Sequence, residues 1–529
     1  MYNSYTLLYM TINADLRILS RATPAATAPL VTPTGTGILH LGLGSFHRAH
    51  QAMYTAAAIA QDGGDWGIIG AASRSRTVVD AMHAQDFLYS VATISPAGTS
   101  LAIPGVHTDA FVAGDEPERV VAHIADAGIR IVTLTVTENG YSYSPATEHL
   151  DLDDETVRAD LQGGAPRSTI GQLARGLQAR ARAGAEPISI LSCDNLAANG
   201  KHTEKLVREF LQALPGGEAS DVLDYLDRAV TFPSSMVDRI VPSTTARLRD
   251  EVTGLLGAVD AIPVPGEPFT MWAIEDAFAG GRPTWEAGGA VFTSEVARYE
   301  QMKVRLLNGT HSLIAYLGAL RGVGTIPEAI GIDRIADAAR GVMRSEYEPS
   351  VDVPTGVDIR AYEAELFERW GNSALGHQTR QVGSDGSVKL RQRIPEPALL
   401  ALGQGRMPHL IALTVAGYLS CHAPLGGFDP GVHAAAMTDP ARERLAVLAS
   451  GARDGVDLAR RVIIDHRLFG SELAHQDAFA ARVGELVDII RRSGVDAAIA
   501  DALSATEEGM LENDPTDPNA TNATKEARR

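Results

Sequence analysis

The sequence predicts an N-terminal α/β domain with a parallel-rich sheet, followed by a mainly α-helical C-terminal domain. Short β-rich apolar runs alternate with helical patterns in the first half of the chain, which is typical of parallel strands covered by helices on both faces. Beyond about Ser294 strand signals largely vanish, and Ala- and Leu-rich periodic segments predominate. A chain of 529 residues is also longer than one typical domain.

The elements follow from these patterns in chain order. Strands are predicted over 37–43, 66–72, 129–136 and 188–193, and helices over 46–59, 77–85 and 170–183. Further helices are predicted over 332–344, 396–402, 409–421 and 442–448. We therefore assign residues 35–292 to the first domain and 293–504 to the second. A flexible N-terminal arm, 1–34, and a disordered, acidic tail, 505–529, are expected to flank them.

Composition limits the partners. The 46 Lys and Arg residues against 65 Asp and Glu residues give a net charge of −19, which argues against binding to nucleic acid or an anionic membrane. The two cysteines, Cys193 and Cys421, cannot form a disulfide framework and indicate a reducing compartment. No apolar run approaches the roughly 18 residues of a membrane span, and no signal-peptide pattern is found. We expect a cytoplasmic protein, monomeric or weakly oligomeric, with a small-molecule ligand.

The first predicted strand ends in a glycine-containing turn that leads into a helix. We call residues 41–46 the glycine turn, and they are candidate cofactor contacts: Leu41, Gly42, Leu43, Gly44, Ser45 and Phe46. Gly42 permits a tight turn, Gly44 lets the backbone approach a pyrophosphate, and the helix start offers N–H donors, as in Rossmann-type domains. The third glycine of that fingerprint is replaced by His47. Many turns carry Gly-x-Gly for steric reasons only, so the motif alone leaves both functions open.

Two further features of this region bear on the ligand. His47 and His50 have a spacing found in metal sites, but no third ligand cluster accompanies them, so we expect no zinc and predict that they pack against the neighbouring domain or form local hydrogen bonds. After the second strand, an acidic residue would usually bind the ribose of NAD. Arg74 and Arg76 follow instead, which favours the 2′-phosphate of NADP unless the arginines are solvated or stack on adenine.

The segment around Lys303 carries an amine, an amide and an imidazole on one predicted helix. At about 100° per residue and with Lys303 at zero, the other polar groups fall at roughly 60° (Glu300), 140° (Asn308) and 80° (His311). A base, a hydrogen-bond donor to an alkoxide and a proton relay are what alcohol oxidation requires. The alternative is a solvated helix face, which the many neighbouring leucines disfavour.

With these residues in hand, the chain resembles the polyol-specific long-chain dehydrogenases, the family of mannitol 2-dehydrogenase and fructuronate reductase. The resemblance covers roughly residues 36 to 500 and rests on six motifs in order: 42–51, 137–141, 192–196, 232–240, 272–276 and 303–311. It implies a Rossmann-type domain, a helical second domain, no catalytic metal and NAD as the cofactor, with NADP still open.

The resemblance also implies roles for individual residues. Lys303 would be the general acid and base, Asn195 and Asn308 would stabilise the alkoxide, and His311 would orient the substrate. Further contacts are implied for Glu300 (proton passage), Asp238 and Lys389 (substrate), and Arg74 and Glu138 (cofactor). The alternatives are an Asx-turn at Asn195, an ion pair with Arg239 or a helix cap at Asp238, and solvation at Glu138. A lysine acts as a base only when neutral, and burial together with the oxidised nicotinamide would favour that form.

Two subclasses of the family compete for the substrate. Residues 141–147 and 307–318 resemble fructuronate reductases, and Gln381 stands where mannitol 2-dehydrogenases carry arginine. Lys389 and Arg393 belong to a run that also resembles the uronate enzymes, although Arg391 replaces their usual proline. Positive charge suits a substrate carboxylate, unless Arg391 and Arg393 simply line the surface.

We expect a metal-independent dehydrogenase that interconverts a keto-hexuronate and an aldonate, with D-fructuronate and D-mannonate as the preferred pair. The alternatives are a mannitol 2-dehydrogenase or another polyol dehydrogenase. Outside this class stand a nucleotide-binding transferase, which would not alter NADH fluorescence on mixing, and a non-catalytic nucleotide or sugar sensor, which would not need the lysine, the two asparagines and the histidine together.

Overall fold

The computed structural model describes residues 16–144, 147–184, 186–215 and 219–512. The chain divides into an N-terminal unit, Met1–Ala297, and a C-terminal unit, Arg298–Arg529. The division lies a few residues beyond the predicted boundary at 292/293.

Parallel strands form the main sheet of the N-terminal unit. The strands in chain order are β1 (Thr36–Leu41), β2 (Gly67–Ala72), β3 (Val91–Ser95), β4 (Gly98–Ala102), β5 (His107–Val112), β6 (Ile131–Leu134), β7 (Tyr143–Ser144), β8 (His149–Leu150), β9 (Ile188–Ser192), β10 (Val230–Thr231), β11 (Ser235–Asp238), β12 (Val264–Gly266), β13 (Met271–Ile274) and β14 (Val291–Phe292). Six of them are parallel, in the order β5-β2-β1-β6-β9-β10. Numbered along the chain within this sheet, the order is 3-2-1-4-5-6, that of dinucleotide-binding folds. The predicted α/β class with a parallel sheet is confirmed.

The central strands alternate their side chains between two cores. Leu39 and Leu41 of β1 pack into one apolar cluster, and Ile38 packs into the other. Every residue of β6 and β9 is buried. A strand that is covered on both faces has a continuous apolar sequence. Because β1, β2, β6 and β9 are strands of this kind, they are the four that the sequence predicts.

Helices cover the sheet, and one prediction is wrong in detail. They are α1 (Ser45–Ala49), α2 (Gln51–Asp62), α3 (Arg76–Ala84), α4 (Pro117–Ala125), α5 (Glu155–Leu161), α6 (Thr169–Ala183), α7 (Asn199–Gln212), α8 (Ser220–Ala229) and α9 (Ala246–Leu256). The single helix predicted over 46–59 is divided at His50, whose φ of −121° and ψ of −87° are not helical. The imidazole Nε2 of His50 forms a hydrogen bond with the carbonyl oxygen of Met271 (3.0 Å).

Smaller sheets and the start of the chain complete the unit. β12-β3-β4 and β11-β13-β14 form three-stranded sheets, and β7-β8 a hairpin. The predicted flexible arm is wrong from residue 16 onward. Leu19 is buried, its N–H donates to Val259 (2.9 Å), and the N–H of Leu30 donates to Ile103 (2.8 Å). Residues 1–15 lie outside the described chain.

The C-terminal unit is helical, as predicted. Its helices are α10 (Val296–Met302, which begins just before the division), α11 (Thr310–Leu320), α12 (Ile326–Ile330), α13 (Asp333–Gly341), α14 (Ile359–Trp370), α15 (Thr379–Gly383), α16 (Gly386–Arg393), α17 (Pro395–Gly403), α18 (His409–His422), α19 (Gly431–Ala435), α20 (Arg442–Ser450), α21 (Gly455–Arg460), α22 (Asp477–Ser493) and α23 (Val495–Glu512). The buried helix α18 packs against α11, α22 and α23.

Two details of this unit correct the predictions. Helix α23 continues to Glu512, so the predicted disordered tail is wrong over 505–512, and residues 513–529 lie outside the described chain. The helix predicted over 332–344 ends at Gly341 and continues as a π-helical turn, Val342–Tyr347. Within the described ranges, no helix combines the length and the apolar character needed to cross a bilayer.

Candidate active site

The glycine turn lies at the carboxyl end of β1, beside the point where the strand order reverses. Gly42 has a φ of +103°, and a Cβ there would overlap the backbone carbonyl of Thr135. Its carbonyl oxygen accepts hydrogen bonds from Thr135 Oγ1 (2.8 Å) and His40 Nε2 (3.0 Å). The N–H groups of Gly42 and Leu43 donate to Ala71 in β2 (2.9 and 3.2 Å). Conformation and packing therefore both require glycine at 42.

Gly44 is different, because nothing in the chain requires a glycine there. Its φ is −108°, and the nearest atom to an added Cβ would be the Gly42 carbonyl oxygen at 3.6 Å, an ordinary contact. No side chain caps the start of α1, so its first N–H groups have no side-chain acceptor. The backbone at Gly44 therefore has room beside it, which is what close approach of a ligand requires.

A cavity of about 730 Å³ opens at the carboxyl ends of β1, β2, β5 and β6. Its lining includes Leu41, Gly42, Arg74, Arg76, Asp115, Thr137, Arg167 and Thr169. Arg76 forms an ion pair with Asp115 (2.7 Å). Arg74 is exposed and forms no hydrogen bond or ion pair with any residue that the structure describes. The two arginines therefore differ in their ion pairing. Arg76 is paired with Asp115, whereas Arg74 lines the cavity with no ion pair to a described residue.

His47, in place of the third glycine, is part of a buried histidine cluster. Its ring stacks on His40 (centroids 3.4 Å apart, 13° between planes), and its Nε2 lies 3.2 Å from Nε2 of His107. Burial lowers the pKa of His40 and of His107 to about 3, and that of His47 well below its usual value. All three are neutral and pack closely, and of the two alternatives predicted for His47, hydrogen bonding within its own domain is the one observed. Among the described residues, no group of three or more His, Cys, Asp or Glu side chains could hold a metal ion.

Asp194 is a residue whose role sequence reasoning missed. Its carboxylate accepts hydrogen bonds from the N–H groups of Val136 (3.0 Å) and Thr137 (2.9 Å) and from the hydroxyl of Tyr141 (2.9 Å). It thereby holds the end of β6 against the end of β9. Thr137 has a φ of +66°, a strained conformation for a β-branched residue. An acidic residue two positions after a buried strand, next to a predicted site residue, was the available signal.

Two predicted site residues of this unit, Asn195 and Asp238, differ in their exposure to solvent. Asn195 follows Asp194 and is exposed, whereas Asp238, the last residue of β11, is only 5 % exposed. The side chain of Asn199 donates to the carbonyls of Asp194 (3.0 Å) and Ser235 (2.8 Å) and so links the end of β9 to the start of β11. The side chain of Glu138 lies outside the described residues.

In the C-terminal unit, Lys303 begins a π-helical turn, Lys303–Gly309, which we call the lysine turn. Hydrogen bonds in a π-helix join residues i and i+5, so each residue advances by less than 100° and the predicted angles are wrong. Lys303 and His311 are each 8 % exposed, and Glu300 and Asn308 are half-buried. The alternative of a solvated helix face is therefore excluded.

Gly309 closes the lysine turn for a packing reason. A Cβ there would lie 2.5 Å from Cζ and 2.8 Å from the hydroxyl oxygen of Tyr347. Tyr347 is fully buried at the end of the second π-helical turn, so the two turns pack directly on each other. Glycine is needed for this close approach.

His311, one residue into α11, has a buried ring. Its Nε2 has no hydrogen-bond partner among the described residues, and its ring lies 5.1 Å from that of His377 and 6.0 Å from that of Trp370. Burial, reinforced by His377 and by Arg393, holds the pKa of His311 well below its usual value. The imidazole is neutral and can exchange a hydrogen bond with a ligand hydroxyl.

The remaining predicted substrate residues lie on α15 and α16. Arg393 donates through Nη1 to the carbonyl oxygen of Asn308 (3.1 Å) and to Ser312 Oγ (2.7 Å). Lys389 is partly exposed and donates to the carbonyl of Ser384 (2.8 Å). Gln381 and Arg391 are exposed.

Comparisons with known proteins identify the family of the chain. Residues 36–287 match the mannitol dehydrogenase Rossmann domain, and residues 295–490 match the mannitol dehydrogenase C-terminal domain. The chain is 38 % identical over 387 residues to D-mannonate oxidoreductase of Escherichia coli K12, which covers 72 % of this chain and 79 % of that one. It is 36 % identical over 467 residues to the uncharacterized oxidoreductase YdfI of the same organism, covering 88 % and 94 %.

A solved structure extends the likeness to the fold. The ternary complex of Pseudomonas fluorescens mannitol 2-dehydrogenase with NAD and D-mannitol matches with a TM-score of 0.78 and 31 % identity, over 94 % of this chain and 99 % of that one. Since the two domain models together span most of the sequence, the chain belongs to the mannitol dehydrogenase family of oxidoreductases.

Proposed function

We propose that this protein is an NAD-dependent dehydrogenase that interconverts a keto-hexuronate and an aldonate, with D-fructuronate and D-mannonate as the preferred pair. Lys303, rather than a metal ion, serves as its general acid and base. One observation carries the proposal: a lysine that is 8 % exposed begins a π-helical turn that also holds Asn308, with His311 just beyond it. π-Helical turns inside α-helices are frequent at functional sites.

The N-terminal unit fits a dinucleotide. The strand order, the open space at Gly44 and the uncapped start of α1 suit a pyrophosphate at the glycine turn. The exposed Arg74 lines the cavity beside the glycine turn, and a cation at the adenosine ribose would suit a 2′-phosphate, which keeps NADP a candidate beside NAD. When bound, the nicotinamide supplies the hydride acceptor or donor.

The residues of the chain then handle the proton and the oxygen. In the oxidative direction, with the bound nicotinamide as the hydride acceptor, Lys303 as the neutral amine would accept the hydroxyl proton while the carbonyl forms. The amide of Asn308 would donate to the oxygen as its negative charge develops, which can be worth about 3 kcal/mol per donor, and the family resemblance implies the same role for Asn195. Glu300, one turn before Lys303, passes the proton toward water. His311, being neutral, orients a substrate hydroxyl.

Positive charge in the C-terminal unit favours an acidic substrate. Lys389 and Arg393 lie on α16, and Arg393 bonds directly to the lysine turn. Charge-assisted hydrogen bonds to such groups suit a carboxylate. The relative named D-mannonate oxidoreductase supports the same choice.

The second candidate is a mannitol 2-dehydrogenase, which the likeness to the solved mannitol complex favours. A non-catalytic sensor would have no use for a buried lysine beside an amide.

The test is a spectrophotometric screen followed by one variant. D-mannonate, D-altronate, D-mannitol, D-sorbitol and D-arabinitol are each paired with NAD and with NADP. Lys303→Ala should lower kcat on the best pair by about 10²- to 10⁴-fold, the range of general acid–base catalysis, while NADH binding stays near that of the wild type. The exposed Lys201, replaced in the same way, is the control. Wild-type turnover in Lys303→Ala would refute the role of the lysine.

A further inference from the structure

We propose that Arg393 is a positioning residue that fixes the geometry of the lysine turn from outside it. The inference rests on the proposed function of Lys303, because the turn matters for chemistry only if that amine exchanges the proton. It gives Arg393 a role beyond the substrate contact that the sequence predicts.

The first argument is a closed set of three hydrogen bonds. Arg393 Nη1 donates to the carbonyl oxygen of Asn308 (3.1 Å) and to Ser312 Oγ (2.7 Å), and Ser312 Oγ donates to the same carbonyl (3.0 Å). The carbonyl belongs to the residue whose side chain is a proposed alkoxide donor. Anchoring the backbone of Asn308 therefore limits where its amide can point.

The second argument is the position of this anchor in the helix. Asn308 is the next-to-last residue of the lysine turn, and α11 begins at Thr310. A serine hydroxyl that bonds the carbonyl four residues back weakens and bends a helix. The guanidinium adds a charged donor at the same carbonyl and so holds this position of the helix from outside. The point where π-helical geometry gives way to α-helical geometry fixes the direction of Lys303 relative to His311.

The third argument is that the turn is held from a second side. Tyr347 fills the space next to Gly309, and its buried hydroxyl has no hydrogen-bond partner among the described residues. Tyr347 therefore restrains the turn by packing alone. A directional restraint on this part of the turn comes from Arg393, whose contacts span 85 residues of sequence.

The two roles of Arg393 predict different kinetics. If its guanidinium only binds a substrate carboxylate, Arg393→Gln should raise KM for D-mannonate and leave both kcat and the oxidation of D-mannitol unchanged. If it positions the turn, the same variant should lower kcat on either substrate by roughly 10- to 100-fold. It should also shift the pH profile of kcat, because the surroundings of the Lys303 amine change.

The experiment compares Arg393→Gln, Arg393→Lys and Ser312→Ala with Arg334→Gln as the control, an exposed arginine on α13 to which no role is assigned. Besides kinetics, hydrogen–deuterium exchange is followed in peptides covering 303–312 and 36–50. We expect faster exchange in the first peptide only, partial rescue of kcat by lysine, and a smaller, several-fold loss for Ser312→Ala. NADH binding should stay unchanged throughout.

The outcomes separate this inference from the proposed function. Wild-type kcat and exchange in Arg393→Gln, alongside an inactive Lys303→Ala, would overturn the positioning role alone. An active Lys303→Ala would instead overturn the proposed function. If Arg393→Gln does not fold, Ser312→Ala decides, because a wild-type kcat in that folded variant contradicts the anchor and a reduced kcat supports it.

Discussion

Gly42 and Gly44 offer a matched pair for testing why the glycine turn exists. An alanine at 42 would have to adopt a φ of +103° and would overlap the carbonyl of Thr135. The backbone strain costs about 1–3 kcal/mol, and forcing a methyl group into a packed site costs about 1–3 kcal/mol more. The sum is a large part of the roughly 5–15 kcal/mol that stabilises a typical protein.

An alanine at 44 meets no such obstacle in the chain itself. Its φ is already −108° and its nearest neighbour would be 3.6 Å away, so the free energy of unfolding should change by less than about 1 kcal/mol. The added methyl group would meet the cofactor instead. An overpacking cost of about 1–3 kcal/mol corresponds to an increase of roughly 5- to 150-fold in the Kd for NADH.

Two assays separate these effects. Thermal unfolding should show a Tm lowered by several degrees for Gly42→Ala and nearly unchanged for Gly44→Ala. Fluorescence titration should show weak NADH binding by the folded Gly44→Ala variant. Gly254→Ala, at an exposed helical position where a Cβ meets nothing, controls for the change of residue type. Wild-type NADH affinity in Gly44→Ala would refute the reasoning, since the open space at 44 would then serve no ligand.

Two further predictions concern charge. Arg74→Asp should raise the ratio of kcat/KM with NAD to kcat/KM with NADP at least tenfold, because it exchanges a cation suited to a 2′-phosphate for an acceptor of ribose hydroxyls. The control is Arg76→Ala, which loses the ion pair with Asp115. An unchanged ratio in Arg74→Asp would place Arg74 outside the ribose site. Burial raises the pKa of Glu346 from 4.5 to about 7, against the hydrogen bonds that it accepts from Leu410 and Ile411. The carboxyl of Glu346 therefore binds its proton more tightly in the folded state than in the unfolded state. The stabilisation of the fold that results from this binding is complete below pH 4.5 and is lost as the pH rises to about 7. The difference in free energy of unfolding between wild type and Glu346→Gln should fall by up to about 1.4 kcal/mol per pH unit in that window, and a pH-independent difference in denaturant titrations would contradict the assignment.

The sequence predicts buried strands well and edge strands poorly, for a physical reason. Central strands of a parallel sheet are apolar on both faces, so β1, β2, β6 and β9 stand out as continuous runs. β5 and β10 lie at the two edges of the sheet. β5 begins with His107, Thr108 and Asp109, and polar residues at an edge are common because they discourage pairing with other chains. Such strands lack the apolar run that would reveal them.

The site residues show a similar limit. Family motifs locate Lys303, Asn308 and His311, but the geometry that presents them depends on partners far along the chain. Seven residues cannot distinguish a π-helical from an α-helical period. Tyr347 and Arg393, which restrain this turn, carry no sequence pattern that links them to it. Asp194 likewise acts on Val136, 58 residues earlier, through a contact that only the folded sheet creates.

Departures from regular structure occur at the predicted site residues. The chain leaves helical geometry at His50, just after the glycine turn, and has a positive φ at Thr137 next to Glu138. It adopts a π-helical turn at Lys303. Regular helices and sheets pair their backbone groups internally, and only a break leaves an N–H or carbonyl group free to face a ligand or to be anchored by a side chain. Because such a conformation costs free energy, it persists only where surrounding contacts enforce it, and the Asp194 carboxylate and the Arg393 guanidinium supply those contacts here. An irregular turn that distant side chains hold in place is therefore a stronger indicator of function than the residues of the turn alone.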